Sequence, residues 1–248
     1  MSQLIYINTN ISEDLLTKGF NIVKSNDFYI NASLKESTYE FVSYYNNLKI
    51  DKYIKDKENK SYRKRRYGSL TFNTQNNSLI PNKHKKFFQS KGLNKTYGGI
   101  NRDFSPIEEY ILNNKFLHEL IKADFSKLPK SEQGLSNEWF IGIQMFRIEA
   151  SKNNIGNPTP EGIHQDGHHF VIQHMINKKN VKGGKSTIYT LDKKEIESVV
   201  LSEFLDSCYV KDSDVMHAVS GISCLNNDNI AIRDMLILDF KLNTNTKV

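Results

Sequence analysis

His164 and Asp166 stand one residue apart in the run Gly162-Ile163-His164-Gln165-Asp166-Gly167, and His217 and Arg233 follow further along the chain. On an extended segment, residues i and i+2 point to the same side. An imidazole and a carboxylate at that spacing can converge on one ion without a helix. Two imidazoles and one carboxylate suit a divalent first-row metal and leave coordination positions free for small molecules. The same residues also fit a plainer reading, with Asp166-Gly167 as a turn dipeptide and His217 unrelated to it. Zinc hydrolysis through His164-x-x-x-His168 fits the residues poorly. It requires a helix with Glu directly after the first His, where this chain has Gln165 and then Gly167.

The arginines form the second candidate set. There are six, against 28 lysines: Arg63, Arg65, Arg66, Arg102, Arg147 and Arg233. Where Lys is the default cation, an Arg is more often wanted for its planar, two-pronged grip on a carboxylate. Arg233 heads the apolar run Asp234 to Leu242; its plain alternative is a surface ion pair with Asp234 or Asp239. Arg63 and Arg65 share one face of an extended segment and Arg66 turns away. This cluster also reads as a solvated basic run, or as a basic and aromatic track for nucleic acid. Gln144 and Arg147 fall on opposite faces of one strand, as do His168 and His169. We expect Gln144 to point into a site and His168 to line its mouth.

The elements that must carry these residues divide at about residue 138. Before it we read a helix from Ser12 to Lys18 closed by Gly19, and a strand from Phe20 to Val23. Ser33-x-x-Glu36 has the form of a capping box and opens a helix to about Leu48. A charged loop follows from Lys49 to Lys60, then a strand from Ser61 to Asn73. Asn76 to Gly99 is rich in Asn, Lys and Gly and reads as exposed. Ser105-Pro106-Ile107-Glu108 combines a cap, an N1 proline and a glutamate, so a helix is expected from there through Ile121. After it come strands over Trp139 to Glu149, Gly162 to Gln165, His169 to Asn177, Lys185 to Leu191, Ser207 to Val210, His217 to Val219 and Ala231 to Leu242. A short helix is expected between Lys193 and Phe204. Many short strands after a helical half argue for an α+β chain with a sandwich or jelly roll and helices packed on one sheet.

Bulk properties narrow the classes. A chain of 248 residues with 38% hydrophobic content suits one domain with a sizeable core. No stretch approaches the roughly 20 apolar residues of a membrane span. Met1 to Asn10 lacks the pattern of a secretory signal. Cys208 and Cys224 form no framework, which points to a reducing, cytoplasmic setting. The net charge of +6 is spread over a general Lys, Asn and Ile bias, so composition does not argue for a nucleic-acid partner.

The order His-x-Asp, distal His, then Arg before a terminal strand resembles the Fe(II)/2-oxoglutarate-dependent dioxygenases. The wording around it is similar to the bacterial, isoleucine dioxygenase-like branch that hydroxylates free L-amino acids. The similar pieces are Ile141-Gly142-Ile143-Gln144 with Arg147, Gly162 to Asp166, His174-Met175-Ile176-Asn177, Gly183-Gly184, Met216-His217-Ala218-Val219 and Ala231-Ile232-Arg233-Asp234. They span residues 139 to 242; upstream only the Arg63 to Tyr67 cluster is similar. The resemblance implies a double-stranded β-helix, or jelly roll, over 139–242, with 1–138 as support and substrate lid of a single domain, 1–248. It implies Fe(II) on His164, Asp166 and His217, and O₂ as oxidant. The distal carboxylate of 2-oxoglutarate would lie on Arg233, with a hydroxyl from Ser186, Thr187 or Tyr189, of which Thr187 is taken here. Arg63 or Arg65 would hold the α-carboxylate of the substrate, with Tyr67 or Tyr62 in the wall and Gln144 and His168 as further contacts. The implied reaction turns 2-oxoglutarate into succinate and CO₂ and hydroxylates an sp³ carbon of an aliphatic or otherwise uncharged L-amino acid. Sulfoxidation of a thioether is a variant of it. Two alternatives remain: the same chemistry on a carrier-bound amino acid, peptide or base, and a non-catalytic metal- or ligand-binding module.

Overall fold

The computed structural model describes residues 3–55, 61–93, 98–227 and 229–242. In chain order the first elements are β1 (Ile5–Ile7), α1 (Ile11–Thr17), β2 (Phe20–Val23), β3 (Phe28–Ile30), α2 (Lys35–Ser43), β4 (Lys49–Ile50), β5 (Arg63–Asn73) and β6 (Ser78–Pro81). Three helices follow, α3 (Glu109–Leu112), α4 (Lys115–Lys127) and α5 (Lys130–Gln133). The remainder is strands: β7 (Glu138–Ala150), β8 (Phe170–Lys179), β9 (Val181–Gly183), β10 (Lys185–Tyr189), β11 (Glu195–Val200), β12 (Ser207–Lys211), β13 (Met216–Val219), β14 (Ile222–Cys224) and β15 (Ala231–Leu242). The fold is mixed, with few helices and a large antiparallel sheet.

That sheet has eight strands in the order β2-β12-β8-β15-β7-β5-β4, with β6 paired to β5. Its centre is long: β7 and β15 pair from Ala150↔Ala231 to Trp139↔Leu242. Because side chains alternate along a strand, each strand serves two environments. Trp139, Ile141, Ile143 and Met145 of β7, and Leu236, Leu238 and Phe240 of β15, pack with Phe116, Leu117, Leu120 and Ile121 of α4 in the main core. The intervening residues face the other way, towards the three-stranded sheet β11-β10-β13. Ile188 of β10 packs there on Val171, Met175 and Met235. A two-stranded pair, β14-β9, closes one end. Among the described residues no helix is long and apolar enough to cross a membrane.

Several local expectations are corrected. Asn31, not Ser33, caps the turn before α2, its side chain accepting from the Ser33 N–H. No helix begins at Ser105. Residues 105–107 instead pair with Tyr67, whose N–H donates to Ser105 O while Ile107 N–H donates to Tyr67 O. Helix begins at Glu109 with the short α3, breaks at Asn113 and resumes as α4, capped by Asn114. The region from Lys193 to Phe204 holds an edge strand, β11, rather than a helix. Its sequence Glu-Ile-Glu-Ser-Val-Val alternates and is β-branched, and its charges suit an edge. The segment 76–99 is only partly exposed: Phe87 and Gln89 are buried. The stretches 56–60 and 94–97, in the expected loops, lie outside the described residues.

Candidate active site

His164 and His217 are fixed to each other through their backbones. Each N–H donates to the other's carbonyl, at 3.1 and 3.0 Å. The expected strand over 162–165 is reduced to this single bridge. Residues that exchange both hydrogen bonds point their side chains the same way, and the two rings lie 4.5 Å apart, centroid to centroid. Asp166 is placed by a different device. The carboxylate of Asp212, at the end of β12, accepts the backbone N–H groups of Asp166, Gly167 and His168 at 3.0, 2.6 and 3.2 Å. Gly167 has a φ of +84°, and a Cβ there would run into Leu93, so the turn requires glycine.

One ligand atom from each of His164, Asp166 and His217 falls within 4.8 Å of the others. His164 Nε2 is 3.5 Å from Asp166 Oδ1, and His217 Nε2 is 3.3 Å from Asp166 Oδ2. His164 Nδ1 lies 2.9 Å from Gly162 O. A carbonyl only accepts, so Nδ1 carries the proton and Nε2 is the nitrogen turned to Asp166. Burial works against charge on both groups. For Asp166 the two histidines outweigh it and hold the carboxyl well below its usual range. For His164, Asp166 and Glu161 outweigh it and lift the imidazole to about 9. Two imidazoles converging on one carboxylate are a donor set that suits a divalent first-row cation.

Arg233 shares the cavity with this triad. It is 3% exposed, and its Nε and Nη2 have no hydrogen-bond partner. It makes no ion pair among the described residues, and burial lowers its pKa to about 10. The expected alternatives, pairs with Asp234 or Asp239, do not form. Asp234 faces the other way and pairs with Arg147 at 2.7 Å. A buried, unpaired guanidinium is costly unless an anion meets it. The carboxylate end of 2-oxoglutarate is such an anion, so the residues fit this co-substrate as well as the metal.

Thr187 does not stand where we expected. It is opposite Ala218 in the β10–β13 pair, whereas Ser186 is opposite Val219 and Ile188 opposite His217. Cross-strand partners share a face. Val219 and His217 both line the cavity, so Ser186 lies on their side of the strand pair and Thr187 on the opposite side, although neither is itself a lining residue. Ser186 Oγ is buried without a partner. The sequence offered three hydroxyls, and the strand register selects among them.

The remaining arginines divide as the alternation predicted. Arg63 and Arg65 line the cavity, while Arg66 turns away to the carbonyls of Asn47 and Pro106 and to Glu108. Arg63 is already neutralised, with Nη2 2.6 Å from Asp51 Oδ2. Arg65 stacks on Phe104, Phe146 and Phe87, at 3.7, 4.5 and 4.8 Å from the ring centroids. Its Nη2 donates to Gln144 Oε1, and Gln144 Nε2 donates to Asp239 Oδ2. Gln144 therefore lines the cavity as expected, but as a link between Arg65 and Asp239. Tyr67 packs behind the cavity wall, 5.2 Å from Phe87, and is not among the lining residues. His168 lies 3.7 Å from Asp239 Oδ2 and likewise stands behind the wall.

The segment over the cavity supplies residues that sequence reasoning missed. Arg102 Nη2 donates to Gln89 Oε1 at 2.7 Å, and Gln89 Nε2 donates to Asp166 Oδ1 at 3.3 Å. Glu161 also lines the cavity, its Oε1 3.7 Å from His164 Nε2. For Arg102 the only signal was the scarcity of arginine; for Gln89 and Glu161 there was none.

The 2OG-Fe dioxygenase family model matches residues 42–239. The chain belongs to that family, an enzyme family whose members use Fe(II), 2-oxoglutarate and O₂. Among its relatives is the 3(1)-hydroxy-L-isoleucine 4-dioxygenase of Pantoea ananatis, 30% identical over 80% of this chain and 78% of that protein. The L-isoleucine-4-hydroxylase of Bacillus thuringiensis is 26% identical over 90% of this chain and 91% of that one. Among solved structures, IDO from Bacillus thuringiensis superposes with a TM-score of 0.76 at 21% identity, covering 93% of this chain and 97% of that one. A bsmA homolog from Methylobium petroleophilum gives 0.79 at 24% identity, covering 93% and 91%.

Proposed function

We propose that this enzyme hydroxylates an sp³ carbon of a free, aliphatic or otherwise uncharged L-amino acid. His164, Asp166 and His217 would hold Fe(II), and Arg233 with Ser186 would hold the distal carboxylate of 2-oxoglutarate. The observation that carries this reading is the buried guanidinium of Arg233, without a protein anion, on the same cavity as the triad. With both groups bound, O₂ converts 2-oxoglutarate to succinate and CO₂, and one oxygen atom enters the substrate's C–H bond. The chain's own residues orient and exclude. Gly162 O fixes the His164 ring, Asp212 fixes the loop bearing Asp166, and Phe87, Phe104 and Phe146 wall off water around Arg65. An aliphatic side chain is supported by Ile54, Ile148, Val219, Met235 and Ile237 in the cavity wall, and by relatives named for isoleucine.

We read the two facing sheets as a double-stranded β-helix, supported by the eight- and three-stranded sheets on either side of the site. We read the chain as one domain, supported by the packing of α4 against β7 and β15. The unpaired Cys208 and Cys224 are compatible with a reducing cytoplasm. The test is succinate formation by the purified protein with Fe(II), ascorbate and 2-oxoglutarate, against each standard L-amino acid. We expect one aliphatic amino acid to drive succinate and to return one oxygen atom heavier by mass spectrometry. Succinate without an oxidised amino acid would transfer the chemistry to a larger substrate. No succinate from iron-loaded protein would favour a binding module.

A further inference from the structure

We propose that the cavity reads its substrate as an unmodified zwitterion, with Arg102 taking the α-carboxylate and Glu161 the α-ammonium. This rests on the amino-acid reading above and extends it to both charged groups of the substrate.

The argument is a charge count around one enclosed space. Arg63 is cancelled by Asp51 at 2.6 Å. Arg65 is linked through Gln144 to the buried carboxylate of Asp239. A divalent metal with Asp166 carries one net positive charge, and Arg233 carries another; the two carboxylates of 2-oxoglutarate offset both. Two charged residues of the cavity lining then remain, Arg102 and Glu161, one of each sign.

Neither is satisfied by the protein. Arg102 is 3% exposed, gives Nη2 to the neutral amide of Gln89 and leaves Nε without a partner. It forms no ion pair among the described residues. Its guanidinium lies 4.9 Å from the Phe87 ring centroid and 5.5 Å from that of Phe104. Those rings desolvate it and restrict its direction. Glu161 Oε2 is buried without a partner, and Oε1 faces only His164 Nε2, at 3.7 Å. That nitrogen cannot serve Glu161 and a metal at once, so loading the metal leaves Glu161 with no ion-pair contact among the described residues, and the Arg102 charge acts on it only at a distance.

Buried charges of opposite sign, each lacking a partner, are offset together by a ligand with one carboxylate and one ammonium. A carrier-bound thioester or an amide would leave Arg102 unpaired, and an N-acylated amino acid would leave Glu161 unpaired. A site that desolvates a charge rejects the analogue lacking its counter-charge more sharply than it rejects a change of one methylene.

The test uses anaerobic protein loaded with Fe(II) and 2-oxoglutarate, so that ligands bind without turnover. Titration calorimetry first takes L-isoleucine, L-leucine, L-valine and L-methionine, then the N-acetyl and amide derivatives of the one that binds. Fe(II) content and 2-oxoglutarate affinity are measured for every variant. We expect each derivative to bind about tenfold or more weakly than its parent, the loss expected for one charge-assisted hydrogen bond. Glu161→Gln should weaken the free amino acid by about tenfold or more and leave the N-acetyl derivative unchanged. Arg102→Met should weaken the free amino acid and leave the amide unchanged. The assignment is overturned if either variant weakens parent and derivatives alike, or leaves the parent unaffected. It is equally overturned if Glu161→Gln loses Fe(II), which would make Glu161 a metal ligand. If the wild type binds none of the four amino acids, the amino-acid reading falls and this one with it. If the wild type binds one and the variants are indifferent, only this assignment falls.

Discussion

The two faces of the eight-stranded sheet are built from the same strands and treat polar atoms in opposite ways. On the helix-covered face the main polar cluster closes on itself, although Tyr45 OH and Trp139 Nε1 in that core have no partner among the described residues. His174, wholly buried, has Ser207 Oγ at 2.7 Å on one ring nitrogen and Asp124 Oδ2 at 3.0 Å on the other, and Tyr209 donates its hydroxyl to Asp124. Ser207 in turn donates to Leu205 O at 2.6 Å. On the cavity face Arg65, Arg102, Ser186, His217, Arg233 and Asp239 each keep at least one buried polar atom without a partner. A closed network adds stability and specifies the packing. An open one is a cost the fold carries, and it marks where ligands go.

That contrast can be tested by substitution. The largest effect belongs to the triad: His164→Ala or Asp166→Ala should abolish succinate formation, and measurable Fe(II)-dependent turnover in either would break the metal assignment. Next, Arg233→Met should raise the KM for 2-oxoglutarate about 100-fold, as expected for loss of a bidentate charge-assisted pair. Its urea-unfolding midpoint should stay level or rise, since an unpaired buried charge has been removed. An unchanged KM would take Arg233 out of that role.

On the closed face the signs reverse. Asp124→Ala should lower stability by about 3–5 kcal/mol, as when one partner of a buried pair is deleted, with the KM for 2-oxoglutarate unaffected. A smaller effect is expected from Asp239, whose carboxyl is pushed up to about 6 by burial. Its folded value lies above its unfolded one, so its contribution to stability is complete below about pH 4 and is lost as pH rises through about 6. In metal-free protein, Asp239→Asn should flatten the fall in Tm across that window; an identical slope would remove Asp239 as its source. The smallest effect separates two neighbours: Ser186→Ala should raise the KM for 2-oxoglutarate by a few fold, and Thr187→Ala should leave it alone.

Much of this site was legible because its pieces are local. His164-x-Asp166, the alternation Arg63, Arg65 against Arg66, and Gln144 against Arg147 need only strand geometry to be placed. The family resemblance then orders His217 and Arg233 along the chain. What could not be read depends on contacts between distant segments. Thr187 and Ser186 are separated only by the register of β10 on β13, and that register is fixed across some thirty intervening residues. Gln89 and Arg102 reach the cavity because a polar, lysine-rich segment folds over it, burying Phe87 where composition suggested exposure. The helix expected from Ser105 starts late, at Glu109, for the same reason: its capping signals are genuine, but Tyr67 on β5 claims the backbone of 105–107. Lys193 to Phe204 shows the reverse error, an alternating β-branched edge strand read as a helix.

The unpaired Arg233 has a consequence for how long the protein survives. If it takes the co-substrate as proposed, the folded chain binds 2-oxoglutarate and the unfolded chain does not. The metabolite then acts as a thermodynamic chaperone, worth about 2.7 kcal/mol at a hundredfold excess over its Kd. Cells rich in 2-oxoglutarate would hold more of this protein intact against proteolysis, and starvation for it would shorten the half-life before activity is ever limited by substrate. A thermal-shift series with 2-oxoglutarate, run on wild type and on Arg233→Met, measures that coupling directly.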